Sequence, residues 1–344
     1  MSFQIMKRMR TKLFTTVLVI LIFMSPALTA QEKQWTLAEC IGYALNENIQ
    51  VRKAGVSVSV GELTLQQAKD NRLPGLNASL GENLGWQQKT DSFGETSLGS
   101  SSRTSASVSS SLTLFDGFQL RNQIRQAGLD YKTLQFSTDQ TKESVSLSIM
   151  SAYLQVLYAE ENVTNSRNQA DATRGELVLA SERLSLGAIA NSEYLQVKPQ
   201  LATEEANLTN SVNNLKMAKV NLMQLMEYPV DEIFEIARPD MAAIIAMVHS
   251  ADANEVYEEA LQVKPQVKIA ALNREGAALD LEIARGGFYP SVSFNAGMST
   301  GFSQAAEMGS QLKNGFSPSV GISASIPIFR NNQNRSAVAR ARYG

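Results

Sequence analysis

One stretch of this chain occurs twice. "ALNENIQVRKAGVSVSVGELTLQQAKDNRLP" (residues 44–74) aligns without a gap on "ALQVKPQVKIAALNREGAALDLEIARGGFYP" (260–290), an offset of 216 (260 − 44). Ala44, Leu45, Gln50, Val51, Ala54, Leu63, Leu65, Ala68 and Pro74 recur identically, and Lys69 recurs as Arg285. A duplicated unit limits the fold to architectures built from two similar halves. In each copy a helix-forming stretch is closed by a proline.

The duplication continues past the proline. "LNASLGENLGW" (76–86) and "VSFNAGMS" (292–299) alternate apolar with small polar residues. Each is followed by a Ser/Gly-rich polar stretch, expected to be a loop, and then by a return strand. The return strand carries Ala106, Val108, Leu112 and Leu114 in the first copy, and Val320, Ile322, Ala324, Ile326 and Ile328 in the second. Both end in Phe and a polar run, "FDGFQLRNQIRQA" beside "FRNNQNRSAVARA". The repeated unit is thus helix, strand, loop, strand, long helix. In the second copy the long helix has barely begun at Gly344, so that copy is expected to be cut short relative to the first.

Strands of about ten residues with strict alternation have the length and period of a transmembrane β-strand. Four are expected, at about 75–86, 104–115, 290–300 and 317–329 by this alternation. One face is apolar: Leu76, Leu80, Leu84, Val108, Leu112, Leu114, Val292, Phe294, Val320, Ile322, Ile326 and Ile328 are expected to face lipid. The other face carries Ser, Asn and Gly, as a water-filled lumen requires. A soluble sheet with one wet face has the same period. Four strands cannot close a membrane barrel, which needs about eight or more. Unpaired edges in lipid cost several kcal/mol per group, so other chains must complete the sheet. Two copies would give eight strands and three would give twelve.

The N-terminus fits export. Lys7, Arg8, Arg10 and Lys12 precede the apolar run Leu13–Met24, and "SPALTA" offers small residues before a cut after Ala30. That run is shorter than the roughly 20 residues a membrane-spanning helix needs, so residues 1–30 read as a signal peptide. A single cysteine, Cys40, excludes an intrachain disulfide framework. A formal net charge of −2 gives no reason to expect a nucleic-acid partner. The first repeat occupies 31–252 and the second, shortened, 253–344.

From about 118 to 182 the chain lacks proline. Leu120, Ile124, Ala127, Tyr131, Leu134, Thr138, Thr141, Val145, Ser148 and Ala152 fall at 4-3 spacing, a heptad seam. Met150, Tyr153, Leu154 and Leu157 begin a second stripe on another face. At 1.5 Å per residue such a helix reaches roughly 100 Å. "SLGAIANS" (185–192) ends it, with Ser192 the expected N-cap of a returning helix. Pro199 is expected in the second turn of that helix. Leu201, Leu208, Val212, Leu215, Leu222 and Met226 keep the heptad register, so 118–227 reads as a helical hairpin.

"LAECIGYALNENIQVRKA" resembles the opening helix of the TolC-like outer-membrane efflux protein family. "ERLSLGAIANSEYLQVKPQLATEEANLTNSVNNLKMAKVNLMQLM" resembles its helix end, Gly-containing tip and returning helix. The resemblance spans essentially the whole mature chain, and it implies a C-terminally shortened member. What it implies is an α+β membrane protein, in which long coiled-coil hairpins join four transmembrane strands per chain. Three chains would form a homotrimer with a twelve-stranded barrel in the outer membrane of a Gram-negative bacterium and a helical tube in the periplasm. The tube would dock a periplasmic adaptor (membrane fusion) protein linked to an inner-membrane pump. The resemblance implies a passive exit duct for drugs, small molecules or proteins, with no enzymatic activity and no cofactor. Carried onto this sequence, the adaptor-docking tip is Leu184, Ser185, Leu186, Gly187, Ala188 and Ile189.

No residue pattern argues for chemistry. His249 is the single histidine and has no second one to work with. Cys40 on an apolar helical face reads as packing. The carboxylates of "EVYEEA" (255–260) read as a solvated face. No catalytic or metal site is expected. The competing reading is an exported coiled-coil scaffold or adhesion protein whose alternating segments form a soluble sheet.

Overall fold

The computed structural model describes residues 34–90, 92–239, 252–303, 311 and 315–344. The expected signal peptide (1–30), His249 and the connector around it lie outside the described residues. The chain divides into two compact units, one from Met1–Asn48 with Val145–Val248, the other from Ile49–Ser144 with His249–Gly344.

In chain order the elements are β1 (Gln34–Trp35), α1 (Leu37–Glu47), α2 (Ile49–Asp70), β2 (Gly75–Thr90), β3 (Thr96–Phe115), α3 (Gln119–Ser185), α4 (Asn191–Met226), β4 (Glu235–Ile236), α5 (Ala253–Val263), α6 (Pro265–Gly286), β5 (Ser291–Ser303), β6 (Ser317–Ser325) and α7 (Gln333–Tyr343). The repeat is visible in the backbone. The single helix expected before each proline is broken in both copies, at Asn48 and Lys264, which again lie 216 apart (264 − 48). Both breaks adopt the same extended conformation, φ −62° ψ 128° and φ −64° ψ 126°. The turns before α3 and α7 also match: Gly117 and Phe118 in one, Asn331 and Asn332 in the other, all at positive φ.

The first unit is a helical hairpin with a clasp. The expected seam continues along α3, where Val145, Ile149, Ala152, Val156, Ala159 and Val163 are buried at 4-3 spacing. Ile149, not the expected Ser148, takes the seam position, and Ser148 is exposed. Leu222, Met223 and Met226 of α4 are buried too. Ser166 and Ser211 share a 2.9 Å hydroxyl hydrogen bond, and Arg174 reaches Glu205 at 2.9 Å. Of the second stripe only Tyr153 is buried; Met150 and Leu154 are exposed.

The clasp has no periodic signature. β1 pairs in parallel with β4, Trp35 opposite Ile236. Trp35, Tyr43, Tyr228 and Phe234 pack with ring centroids 5.3–6.0 Å apart. The Tyr153 hydroxyl donates to the carbonyls of Trp35 and Ala237. Burial pushes that phenol up to about 12. Cys40, on α1, is fully buried. Nearby Lys219 pairs with Glu235 at 2.6 Å and Glu160 at 3.8 Å. Desolvation holds the Glu160 carboxyl above its ordinary range despite Lys219 and Arg238. Tyr153→Phe removes the donor serving two backbone acceptors. It is expected to cost about 1–3 kcal/mol, the scale for buried polar groups left unpaired. Helical circular dichroism in detergent should show a lowered melting temperature; an unchanged one would refute this role.

The second unit holds the sheet, ordered β2-β3-β5-β6 and antiparallel throughout. Helices approach one another closely where glycine permits. A Cβ on Gly61 of α2 would stand 2.5 Å from Leu134 Cδ1 of α3. Gln126 donates to Asp280 at 2.7 Å, and Asp116 accepts the Leu120 N–H at 2.7 Å at the start of α3.

Several boundaries differ from expectation. β2 and β3 are longer than ten residues, and the stretch "TDSFGETSLGSSSRTS" is mostly strand. Pairing runs without interruption from Gly75 opposite Ser111 to Thr90 opposite Thr96, and the described residues 92–95 turn between them. β6 stops at Ser325, not at 329. Its partner β5 begins at Ser291, opposite Ser325, and Pro327 has no N–H to extend a ladder. Helix α4 begins at Asn191 with Ala190 as its N-cap, so Ser192 is not the cap. Pro199 is then the ninth residue and sits in the third turn.

Candidate functional site

The sheet is two-faced where β3 pairs in regular register with both β2 and β5. The registers keep even-numbered residues together: Ala78 lies opposite Val108, Val108 opposite Met298, and Phe294 opposite both Leu112 and Ile322. The even face therefore gathers Leu76, Leu80, Leu84, Val108, Leu112, Val292, Phe294, Val320 and Ile322. These nine of the twelve expected lipid-facing residues share one side. Those on the edge strands have little cover within the chain, Leu80 being 79% and Ile322 70% exposed, while Val108, Leu112 and Val292 are partly covered.

The other three differ. The β3–β5 register shifts between Thr113 and Phe115, so Phe115 lies opposite Val292 and Leu114 falls in the irregularity. Ile326 and Ile328 lie beyond the end of β6 and are 67% and 95% exposed. They continue the alternation in sequence but have no strand partner.

The odd face is built from Ser, Gly, Asn and Thr. Small side chains there leave space over the backbone, and hydroxyls satisfy one another, as Ser79 and Ser107 do at 2.7 Å. Asn295 donates to Ser323 at 3.0 Å on the same side. The even face also carries polar residues, Ser102, Thr104, Ser110 and Thr300 among them, and one carboxylate. Glu82 accepts hydrogen bonds from Ser102 and Thr104 across the β2–β3 pair, which cancels part of the cost of a carboxylate among Leu80 and Leu84. Sequence alternation alone did not single out Glu82.

The tip of the α3–α4 hairpin is a sharp turn. Gly187 has φ +71°, its N–H reaches Leu184 O at 2.9 Å, and the Ala188 N–H reaches Arg183 O at 2.8 Å. This bond pattern is the Schellman helix stop, and it explains why glycine sits at 187. Leu184, Ser185, Leu186, Gly187, Ala188 and Ile189 are thus brought into one turn. Leu186 points outward, 82% exposed, while Leu184 and Ile189 are partly covered.

Among the described residues no group of His, Cys, Asp and Glu is placed to hold a metal ion. No described helix is long and apolar enough to cross a membrane. A sheet with one apolar and one hydroxyl-lined face, on a chain that also carries long coiled-coil helices, has the residue pattern of a membrane β-sheet.

The comparisons agree with that pattern. The family described as outer membrane efflux protein matches residues 40–226 and 256–343. The chain belongs to this family, and its place is the outer membrane. It is 26% identical over 260 residues to the outer membrane protein TolC of Escherichia coli (strain K12), covering 71% of this chain and 50% of TolC. It is 21% identical over 310 residues to the outer membrane efflux protein BepC of Brucella suis biovar 1 (strain 1330), covering 89% of this chain and 63% of BepC. The chain thus spans about half the length of TolC. Its fold matches that of CusC with a TM-score of 0.74 at 16% identity, over 89% of this chain and 69% of the other. It matches the outer membrane protein VceC of Vibrio cholerae with a TM-score of 0.69 at 18% identity, over 89% and 72%. The family and these folds are those of channel proteins.

Proposed function

We propose that this chain is the outer-membrane part of a tripartite efflux or type I secretion system, and that it acts as a passive exit duct. The observation that carries this reading is the two-faced sheet with two open edges. β2 and β6 each pair on one side only among the described residues. In lipid such edges cost several kcal/mol per unpaired group, which favours completion by further copies. Three copies, making twelve strands, is the number that the family resemblance implies. The even face meets lipid, the odd face lines water, and transport needs no catalytic residue of this chain.

The scaffold or adhesion reading is less well supported. In water an exposed apolar face running over four strands would be an association hazard. The same face is what a bilayer requires.

The α3–α4 tip, residues 184–189, is the surface proposed to meet a periplasmic adaptor that couples the duct to an inner-membrane pump. Leu186→Asp tests this. The side chain is exposed, so the fold should tolerate the change. Export of a dye or drug in cells relying on this protein is expected to fall by about tenfold or more, the scale of 1.4 kcal/mol at a contact. Protein in the outer-membrane fraction should stay constant. Unchanged export would remove the tip from the docking surface. Extraction of the wild-type protein without detergent would overturn the membrane reading itself.

A further inference from the structure

Among the described strand residues the odd-face positions hold no carboxylate and two cations, Arg103 and, farther along the β2–β3 hairpin, Lys89 opposite Ser97. Where β3 pairs with β5, and on the strands flanking that pair, the odd-face positions run from Asn77 to Asn83, from Arg103 to Thr113, from Ser291 to Ser303 and from Ser317 to Ser325, β6 reaching only as far as Ser299 of β5. Every one is Ser, Gly, Asn or Thr except Arg103. Arg103 lies opposite Asn83 on one side and Ser303 on the other. That is the end of the block farthest along the strands from Gly75, Phe115, Ser291 and Ser325, where the helices attach. The side chain is exposed, and among the described residues no carboxylate pairs with it. Glu82, the acidic group nearest in register, projects from the even face and is held there by Ser102 and Thr104.

We propose that Arg103 makes the outer mouth of the duct select for anionic solutes. This rests on the exit-duct reading above, in which three copies surround one lumen. The Arg103 of each copy then joins a ring of positive charge set in a hydroxyl wall, with Lys89 adding the same sign farther out on that face. A neutral wall imposes no field of its own, so the ring sets the sign of the potential at the mouth. Solutes bearing carboxylate, sulfonate or phosphate groups are concentrated there, and the planar guanidinium can hold such groups through two parallel hydrogen bonds. Cations of the same size are held back. The effect acts at close range, since fixed charges are screened beyond about 8 Å at physiological salt.

The test is the reversal potential of the purified full chain in planar bilayers across a potassium chloride gradient. Low salt, about 10 mM on the dilute side, extends the ring's reach to about 30 Å. R103E is expected to raise the cation-to-anion permeability ratio by roughly two- to tenfold, and R103Q by less. R103K keeps the charge and should keep the wild-type ratio. If R103E conducts normally with the wild-type ratio, the ring is not the selector and the proposal falls. If the wild-type protein is recovered folded from the outer membrane yet never conducts, the duct reading fails and the ring falls with it.

Discussion

Gly117→Val is expected to remove this protein from the outer membrane. Gly117 closes the turn between β3 and α3 with φ +72°, a conformation that costs an L-residue roughly 1–2 kcal/mol and a β-branched one more. Space is the second obstacle. A Cβ at 117 would stand 2.4 Å from the carbonyl oxygen of Gly286 and 2.9 Å from Tyr289 Cβ. Neither neighbour is the loose end of a flexible side chain. Gly286 ends α6, and Tyr289 precedes β5, so yielding there would displace the entry to the second strand pair. The contact is reciprocal: a Cβ on Gly286 would meet Gly117 O at 2.9 Å and Gln119 Cγ at 2.4 Å. The two turns are therefore pressed backbone to backbone. Strain and clash together should exceed about 3 kcal/mol, a large part of the 5–15 kcal/mol that holds an ordinary domain. The comparison variant is Gly94→Ala. Gly94 also has positive φ, +84°, but nothing lies within 4 Å of its would-be Cβ. It should cost only about 1 kcal/mol of backbone strain. Recovery from the outer-membrane fraction and melting in detergent report both. Equal behaviour of the two variants would refute the crossing as a structural constraint.

How much of this could be read in advance depended on whether a residue pattern carried a period. The offset of 216 located Gly75 and Ser291, the first residues of β2 and β5, because both copies repeat the helix, the proline and the strand behind it. Strand faces were legible because Leu76, Leu80, Val320 and Ile322 alternate with small polar residues. The far half of the β2–β3 hairpin was not. Thr96–Ser102 is rich in Ser and Gly and has little apolar alternation. It is strand because its backbone pairs one-to-one with β2. The C-terminal end of β6 was misjudged for a related reason, its start at Ser317 being as expected: Ile326 and Ile328 keep the period, but Pro327 and the absence of a partner before Ser291 stop the ladder. β1 and β4 are two residues each, too short for any period. Trp35, Phe234 and Tyr228 were the available signal, aromatic residues outside every heptad. The tip was legible because Gly187 stands between two heptad runs. Its cap was not, since Ser192 has the chemistry of an N-cap without the position.

Val108→Arg and Ser109→Arg should behave as opposites although they are neighbours. Val108 sits on the even face near the middle of the sheet, opposite Ala78 on β2 and Met298 on β5. If that face meets hydrocarbon, an arginine there costs about 2–4 kcal/mol, because a charge at the midplane must be dragged toward the headgroups. Ser109 lies opposite Asn77 and Gly297 on the odd face and is exposed. An arginine at 109 keeps its charge in water, and Gly297 leaves room beside it, so stability should change by less than about 0.5 kcal/mol. Outer-membrane recovery should therefore collapse for Val108→Arg and persist for Ser109→Arg. The soluble-sheet alternative makes a different forecast. An exposed apolar face in water accepts a charge readily, so both variants would be recovered alike, and Val108→Arg would even reduce self-association. The sign of the difference between two adjacent positions thus separates a bilayer from water on the even face, without any assay of transport. It also tests the register, because a slip by one residue would exchange the two outcomes.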